Sequence, residues 1–254
     1  MRFLVVILLC INTAWARSEP SVLFYNSVSG HTLVASNAGE IRPLASITKL
    51  MTAVVALDTG FDLDRPVLLN KRWGGILPIK PYTRRELFTA MLIRSDNSAA
   101  ETLAGDYPGG RLEFIREMNE RARRMGMTVT HFDDASGLLA TNVSSAQDIR
   151  ILLSEALKYD LIRQLTTTKQ TEIVIPGKKK SIKVAVNNTN SPLLGEFASS
   201  TVLGKTGLTS KAGWCVGMVL EENQQQYYIV VLGAKTKIER TKLVERTVSS
   251  MLKP

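Results

Sequence analysis

The chain has 254 residues, 44% of them apolar and 22% charged, with a formal charge of +9 at pH 7. That apolar content suffices for one well-buried domain and excludes a disordered chain. No repeat period stands out, which excludes a solenoid or propeller. A basic balance admits nucleic acid, a membrane surface or an anionic polymer as partner. The cations are scattered, however, apart from Lys178-Lys179-Lys180, and no nucleic-acid-binding motif occurs.

The first residues read as an address rather than as structure. Arg2 supplies a positive charge, Phe3 to Ile11 is an unbroken apolar run, and Ala14-Trp15-Ala16 has the A-x-A form of a cleavage site. Residues 1–16 are therefore expected to leave as a secretory signal peptide. The apolar run is too short to span a bilayer. Bulky Leu9 before Cys10 argues against lipid attachment there. Cleavage would remove only Arg2 among the charged residues, leaving +8. Only Cys215 would remain, so no internal disulfide forms. It sits in the apolar run Trp214 to Val219 and reads as a small buried hydrophobe, not a reactive thiol. The mature product, residues 17–254, is expected to be one soluble exported domain, monomeric, without a stable membrane anchor.

Ser21 to Asn26 and His31 to Asn37 read as two strands of a hairpin around Ser27-Val28-Ser29-Gly30. Ser46 opens a helix through Leu57 that is apolar on nearly every face, ended by Gly60. Such a helix belongs in the middle of a domain. Thr83-Arg84-Arg85-Glu86 is a capping box ahead of Leu87, Ala90 and Met91 at helical spacing. Leu112, Ile115, Met118, Ala122 and Met125 mark a further helix, closed by Gly126. Ser144-Ser145-Ala146-Gln147 reads as a second capping box ahead of Ile149, Leu152, Leu153 and Ala156. From Thr171 the texture turns to strands: Thr171 to Ile175, Ile182 to Val186, Thr201 to Lys205, Trp214 to Leu220 and Tyr227 to Gly233. The lysine triplet after Pro176-Gly177 reads as a solvated hairpin tip. Ile238 to Leu252 reads as a last helix covering the sheet, with Val244, Val248 and Met251 on one face. Strands at both ends and helices between predict an α+β fold: a mainly antiparallel sheet flanked by helices, with a helical lobe.

Three short motifs occur in order: Ser46-Ile47-Thr48-Lys49, Ser95-Asp96-Asn97 and Lys205-Thr206-Gly207. Lys49 lies one turn from Ser46 on the same helix face. The helix N-terminus aims unpaired N–H groups at the place where an acyl oxyanion would form. A serine hydroxyl needs a base to act as a nucleophile. A free lysine, with a pKa of about 10.4, is neutral in only about 0.04% of molecules at pH 7. Burial and a second cation, Lys205, both favour the neutral form. Ser95 offers a hydroxyl that can relay a proton, and Asn97 an amide that can hold Lys49. Gly207, after a strand, lets a substrate chain lie close to the backbone, aligned by edge pairing. The two histidines, His31 and His131, stand in unrelated contexts. No zinc-protease motif, paired cysteines or phosphate loop appears, so the reading calls for no metal and no cofactor.

The motif set marks penicillin-binding proteins and class A β-lactamases. Ala45 to Ala53, Thr130-His131-Phe132, Gly137-Leu138, and Lys205-Thr206-Gly207 continuing to Ala212-Gly213 resemble the D-alanyl-D-alanine carboxypeptidase family over nearly all of the mature chain. Tyr107-Pro108-Gly109-Gly110 is similar to the small D-alanyl-D-alanine endopeptidases of that family. The resemblance implies a penicillin-binding/β-lactamase-like transpeptidase fold. It implies cleavage of D-alanyl cross-links in peptidoglycan, with carboxypeptidase trimming of pentapeptide stems as the alternative. Stem peptides and β-lactams would then be the partners. Ser46 would be acylated and Lys49 act as base, with Ser95 and Asn97 handling the proton. Lys205 and Thr206 would bind substrate, the backbone N–H groups of Ser46 and Leu208 would form an oxyanion hole, and Arg240 would neutralise a substrate carboxylate. The E-x-x-L-N run that class A β-lactamases use for deacylation does not occur.

Overall fold

The computed structural model describes residues 19–175, 180–197 and 199–249. The proposed leader, residues 1–16, and most of the lysine triplet lie outside the described residues.

The main sheet has five antiparallel strands. They are β1 (Ser21–Asn26) and β2 (Thr32–Ser36) from the N-terminus, and β9 (Thr201–Thr209), β10 (Gly213–Glu222) and β11 (Gln225–Ala234) near the other end. Their order is β2-β1-β11-β10-β9. The N-terminal hairpin thus finds its partner in the C-terminal strands, with Ser21 opposite Leu232 and Asn26 opposite Tyr227. Alternation along β10 separates two cores. Val216, Met218 and Leu220 face Val244 and Val248 of the last helix, and Cys215 and Val219 face the larger core. Both faces are covered, so the strands read as continuous apolar runs.

Short pairs occupy the rest of the chain: β3 (Arg42–Pro43) with β6 (Val143–Ser144), and β4 (Pro66–Leu68) with β5 (Pro81–Thr83). The hairpin β7 (Gln170–Ile175) and β8 (Ile182–Asn187) pairs only with itself among the described residues and does not extend the main sheet.

The helices are α1 (Thr48–Asp58), α2 (Arg84–Ile93), α3 (Asn97–Gly105), α4 (Gly110–Arg124), α5 (Ala146–Ala156), α6 (Asp160–Thr167), α7 (Ser191–Glu196) and α8 (Lys237–Ser249). Every residue of α1 from Thr48 to Ala56 is buried, as an all-round apolar helix must be. A short 3₁₀ turn, Ala45–Ile47, precedes it and carries Ser46. The capping box at Thr83 forms in both directions with Glu86. The second expected box is shifted by one residue. Ser145, not Ser144, caps α5 by accepting from the Asp148 N–H at 3.1 Å. The Ser144 hydroxyl instead meets Thr130 at 2.7 Å. Gln147 does not reach back; its N–H donates to the Ala38 carbonyl at 3.1 Å. Gly60 and Gly126 follow their helices with φ of +66° and +79°, the left-handed termination that glycine supplies. No helix among the described residues is long and apolar enough to cross a membrane.

Candidate active site

The three motifs converge where α1, the start of α3 and β9 meet. Ser46, Ser95, Asn97, Thr206, Gly207 and Leu208 line one cleft, together with Thr189, Trp214 and Arg240. Lys49 lies beneath it, fully buried.

The Lys49 ammonium makes three short contacts. It donates to Ser46 Oγ at 2.9 Å, to Asn97 Oδ1 at 2.7 Å and to the Ser136 carbonyl at 2.6 Å. Burial pushes its pKa down to about 7, against the pull of the Asp134, Asp96 and Glu101 carboxylates. Lys205 is also buried; it donates to Ser95 Oγ at 2.9 Å and to the Thr206 carbonyl at 3.1 Å. Burial, then repulsion from Lys49, drives it well below the usual lysine range. Burial is the larger cause for both lysines, and the two ammoniums oppose one another's charge.

Ser136 was not visible as a site residue in the sequence. Its carbonyl is aimed by the buried Asp134, whose Oδ1 accepts from the Ser136 N–H at 2.9 Å and from the Gly137 N–H. Asp134 Oδ2 accepts from Leu139 N at 2.7 Å. Asn142 ties this turn to α1 by donating to Thr48 Oγ1 at 3.2 Å and to the Asp134 carbonyl at 2.9 Å. Gly137 has φ +80°, and a Cβ there would overlap the Ala45 carbonyl oxygen. An Asp followed three residues later by Gly is a turn signature. Such a signature carries no pointer to the lysine.

Gly207 allows a close approach within the chain itself. A Cβ on it would stand 2.9 Å from the Leu44 carbonyl oxygen, 3.1 Å from Ala45 Cβ and 3.1 Å from the Ser46 backbone nitrogen. The close approach is to the chain's own nucleophile turn. It brings the backbone at Gly207-Leu208 beside that of Ser46. Thr206 Oγ1 meets Thr189 Oγ1 at 2.8 Å.

Asp96, the middle of the second motif, caps α3 by accepting from the Ala99 N–H at 2.9 Å. Its other oxygen accepts from Ile76 N at 2.7 Å and Leu77 N at 3.3 Å. It therefore fastens the loop around residues 73–77 to the site. Ser95 sits in the left-handed region, with φ +65°, which costs a non-glycine residue about 1 kcal/mol or more. Arg240, in the first turns of α8, is 1% exposed. Its Nε and Nη2 have no hydrogen-bond partner among the described residues, and its guanidinium carbon lies 5.8 Å from the Trp214 ring centroid. Burial lowers its pKa. A buried guanidinium without acceptors is poised for an anion. Cys215, on β10 opposite Gly207, is buried, and burial pushes its thiol up to about 11. No group of three or more His, Cys, Asp or Glu among the described residues is placed to hold a metal ion.

Known proteins resemble this chain in sequence and fold. The chain is 33% identical to a D-alanyl-D-alanine endopeptidase of Pseudomonas aeruginosa over 222 residues, covering 84% of this chain and 71% of that protein. It is 35% identical to one from Escherichia coli over 202 residues, covering 76% of this chain and 64% of that protein. The fold superposes on the DD-transpeptidase of Streptomyces K15 with a TM-score of 0.83 at 25% identity, covering 90% and 95% of the two chains. It superposes on ampicillin-bound penicillin-binding protein D2 of Listeria monocytogenes with a TM-score of 0.79 at 29% identity, covering 92% and 96%. The family model described as D-alanyl-D-alanine carboxypeptidase matches residues 15–236, and with these relatives it shows that the chain belongs to that family of serine peptidases.

Proposed function

We propose that the protein is a serine D,D-peptidase of peptidoglycan in which Ser46 is the nucleophile and Lys49 its base. One observation carries the reading: a fully buried lysine, brought to a pKa of about 7, lies 2.9 Å from a serine hydroxyl at the floor of a cleft. In the neutral form its lone pair faces Ser46 Oγ. It takes the hydroxyl proton as Oγ attacks the carbonyl carbon of a D-alanyl residue. The oxyanion forms beside the backbone N–H groups of Ser46 and Leu208. The Ser95 hydroxyl carries a proton to the leaving amine, Asn97 holds Lys49, and Lys205, Thr206 and Arg240 bind the substrate chain and its carboxylate. The C–N bond breaks, an ester on Ser46 remains, and water releases it. A β-lactam acylates the same oxygen.

Cross-link cleavage comes first and removal of a terminal D-alanine second. The two relatives compared above bear the endopeptidase name, whereas a carboxypeptidase of Bacillus subtilis is 30% identical over 243 residues. The mature domain, residues 17–254, acts outside the cytoplasm, in the periplasm or beyond, as a monomer. The test is a digest. The purified domain is incubated with cross-linked muropeptide dimers and with monomeric pentapeptides. Loss of dimers, abolished in Ser46→Ala, supports the reading. Rapid loss of D-alanine from monomers with dimers left intact reverses the order, and full activity of Ser46→Ala overturns the mechanism.

A further inference from the structure

The loop that precedes the second motif carries a surface that the proposed chemistry does not use. It runs Asn70-Lys71-Arg72-Trp73-Gly74-Gly75, and it is fastened to the site at several points. The Asn97 and Ser98 N–H groups donate to the Gly74 carbonyl at 3.0 and 3.3 Å. The Trp73 N–H donates to Ser98 Oγ at 2.8 Å, and Asn97 Nδ2 reaches the Trp73 carbonyl at 3.5 Å. Asp96 secures the next residues through Ile76 and Leu77. A Cβ on Gly75 would overlap the Asp96 carboxylate, so the chain can pass there only as glycine. The loop is therefore fastened beside Asn97, which lines the cleft.

This anchored loop presents an indole and two cations. The Trp73 side chain is held between Lys71, whose Nζ lies 4.0 Å from the ring centroid, and Arg111, at 6.0 Å. Arg111 is committed to the buried Glu101 at 2.7 Å. Lys71 and Arg72 are exposed and join no ion pair among the described residues, and neither does Arg94, next to Ser95. The two acids of this wall are spent elsewhere. Asp96 is saturated by backbone N–H groups, and Glu101 accepts from Arg111 and from Ala135 N at 3.1 Å. A half-exposed indole that braces an ammonium costs little entropy to organise, and the ammonium keeps N–H donors free for an anion.

We propose that Trp73, Lys71 and Arg72 form a subsite for a free carboxylate on the part of the substrate that lies against the α3 wall of the cleft. It rests on the reading of the cleft as a stem-peptide site. Arg240 is on α8 and lines the cleft itself, which Lys71 and Arg72 do not, so the two anion-binding places are distinct. The Trp73 indole contacts the aliphatic portion of the ligand, and the Lys71 ammonium and Arg72 guanidinium take its carboxylate. Free and amidated carboxylates are then told apart, because an amide removes the charge and keeps the size.

The experiment uses the full mature chain carrying Ser46→Ala, so that ligand binds without turnover. Binding of a stem peptide with free side-chain carboxylates, and of the same peptide amidated there, is read by calorimetry at low and high salt. Wild-type wall residues are expected to favour the free form about tenfold at low salt, and the preference is expected to shrink with salt. Lys71→Gln with Arg72→Gln is expected to bring the ratio near one, and Trp73→Phe to weaken both ligands together. An unchanged ratio in the double variant overturns the proposal, as does a ratio near one before any wall substitution. Failure of the catalytic reading is separate: it shows as absent cleavage by the chain with Ser46 intact, whichever ligand binds.

Discussion

The acylation rate should follow the protonation of Lys49. The perturbation is pH, and the magnitude comes from the burial of one ammonium. A lysine shifted from its ordinary 10.5 to about 7 is half neutral at pH 7, against about 0.04% for a free lysine. Burial has therefore raised the population of working base by about a thousandfold. The sign follows from the role: only the neutral amine accepts the Ser46 proton, so the rate rises with pH. With a midpoint of about 7, the neutral fraction is about 1% at pH 5 and about 10% at pH 6, and it approaches a plateau above pH 8. Lys205 faces Lys49 from β9, and Asp134, Asp96 and Glu101 act on it from the other elements. These groups move the midpoint without reversing the slope. The assay is the pseudo-first-order rate of labelling by a fluorescent penicillin from pH 5 to 9, with protein integrity followed by circular dichroism. A flat profile over that range, or a midpoint above 9, would mean that Lys49 does not reach Ser46 as the free base, and the mechanism would fall.

Lys49→Arg keeps the charge but cannot lose it near neutrality; labelling should drop at least a thousandfold while the circular dichroism spectrum of the fold persists. Gly137→Ala places a methyl against the Ala45 carbonyl at a positive φ; thermal unfolding should show a loss of about 3 kcal/mol, on the order of 10 °C for a domain of this size. Asp96→Asn removes one of two accepting oxygens that together hold Ile76, Leu77 and Ala99. It should cost about 1–3 kcal/mol in thermal unfolding and raise hydrogen exchange in residues 73–77, leaving exchange in α5 unchanged.

The central strands were legible as continuous apolar runs, such as Trp214 to Leu220, and the long helices because apolar residues such as Leu112, Ile115, Met118 and Ala122 recur at helical spacing. The motif residues were legible because Ser46 and Lys49 share one turn, and because Asn97 and Lys205 are polar groups beside apolar runs. Ser136 was not, since its contribution is a main-chain carbonyl and any residue carries one. Thr189 lies in a polar run, Asn187-Asn188-Thr189-Asn190, where nothing distinguishes the residue that meets Thr206. The short α6 and α7 escaped because a helix of eight residues or fewer completes barely two turns, too few to show a period. The shift of the α5 cap shows a further limit. Two adjacent serines satisfy the same local pattern, and the choice between them was made by Thr130, distant in sequence.

Gly137 and Gly207 press on the backbone at Ala45-Ser46 from two sides, one from the turn after α4 and the other from β9. The Ser46 hydroxyl thus rides on a seam between these two segments. Neither segment can loosen without releasing that seam, so heat inactivation should coincide with melting, and a chain cut between α4 and β9 should retain activity only while both parts stay docked. In such an arrangement, hardening the seam lengthens the working life of the enzyme and preserves the target that a β-lactam attacks.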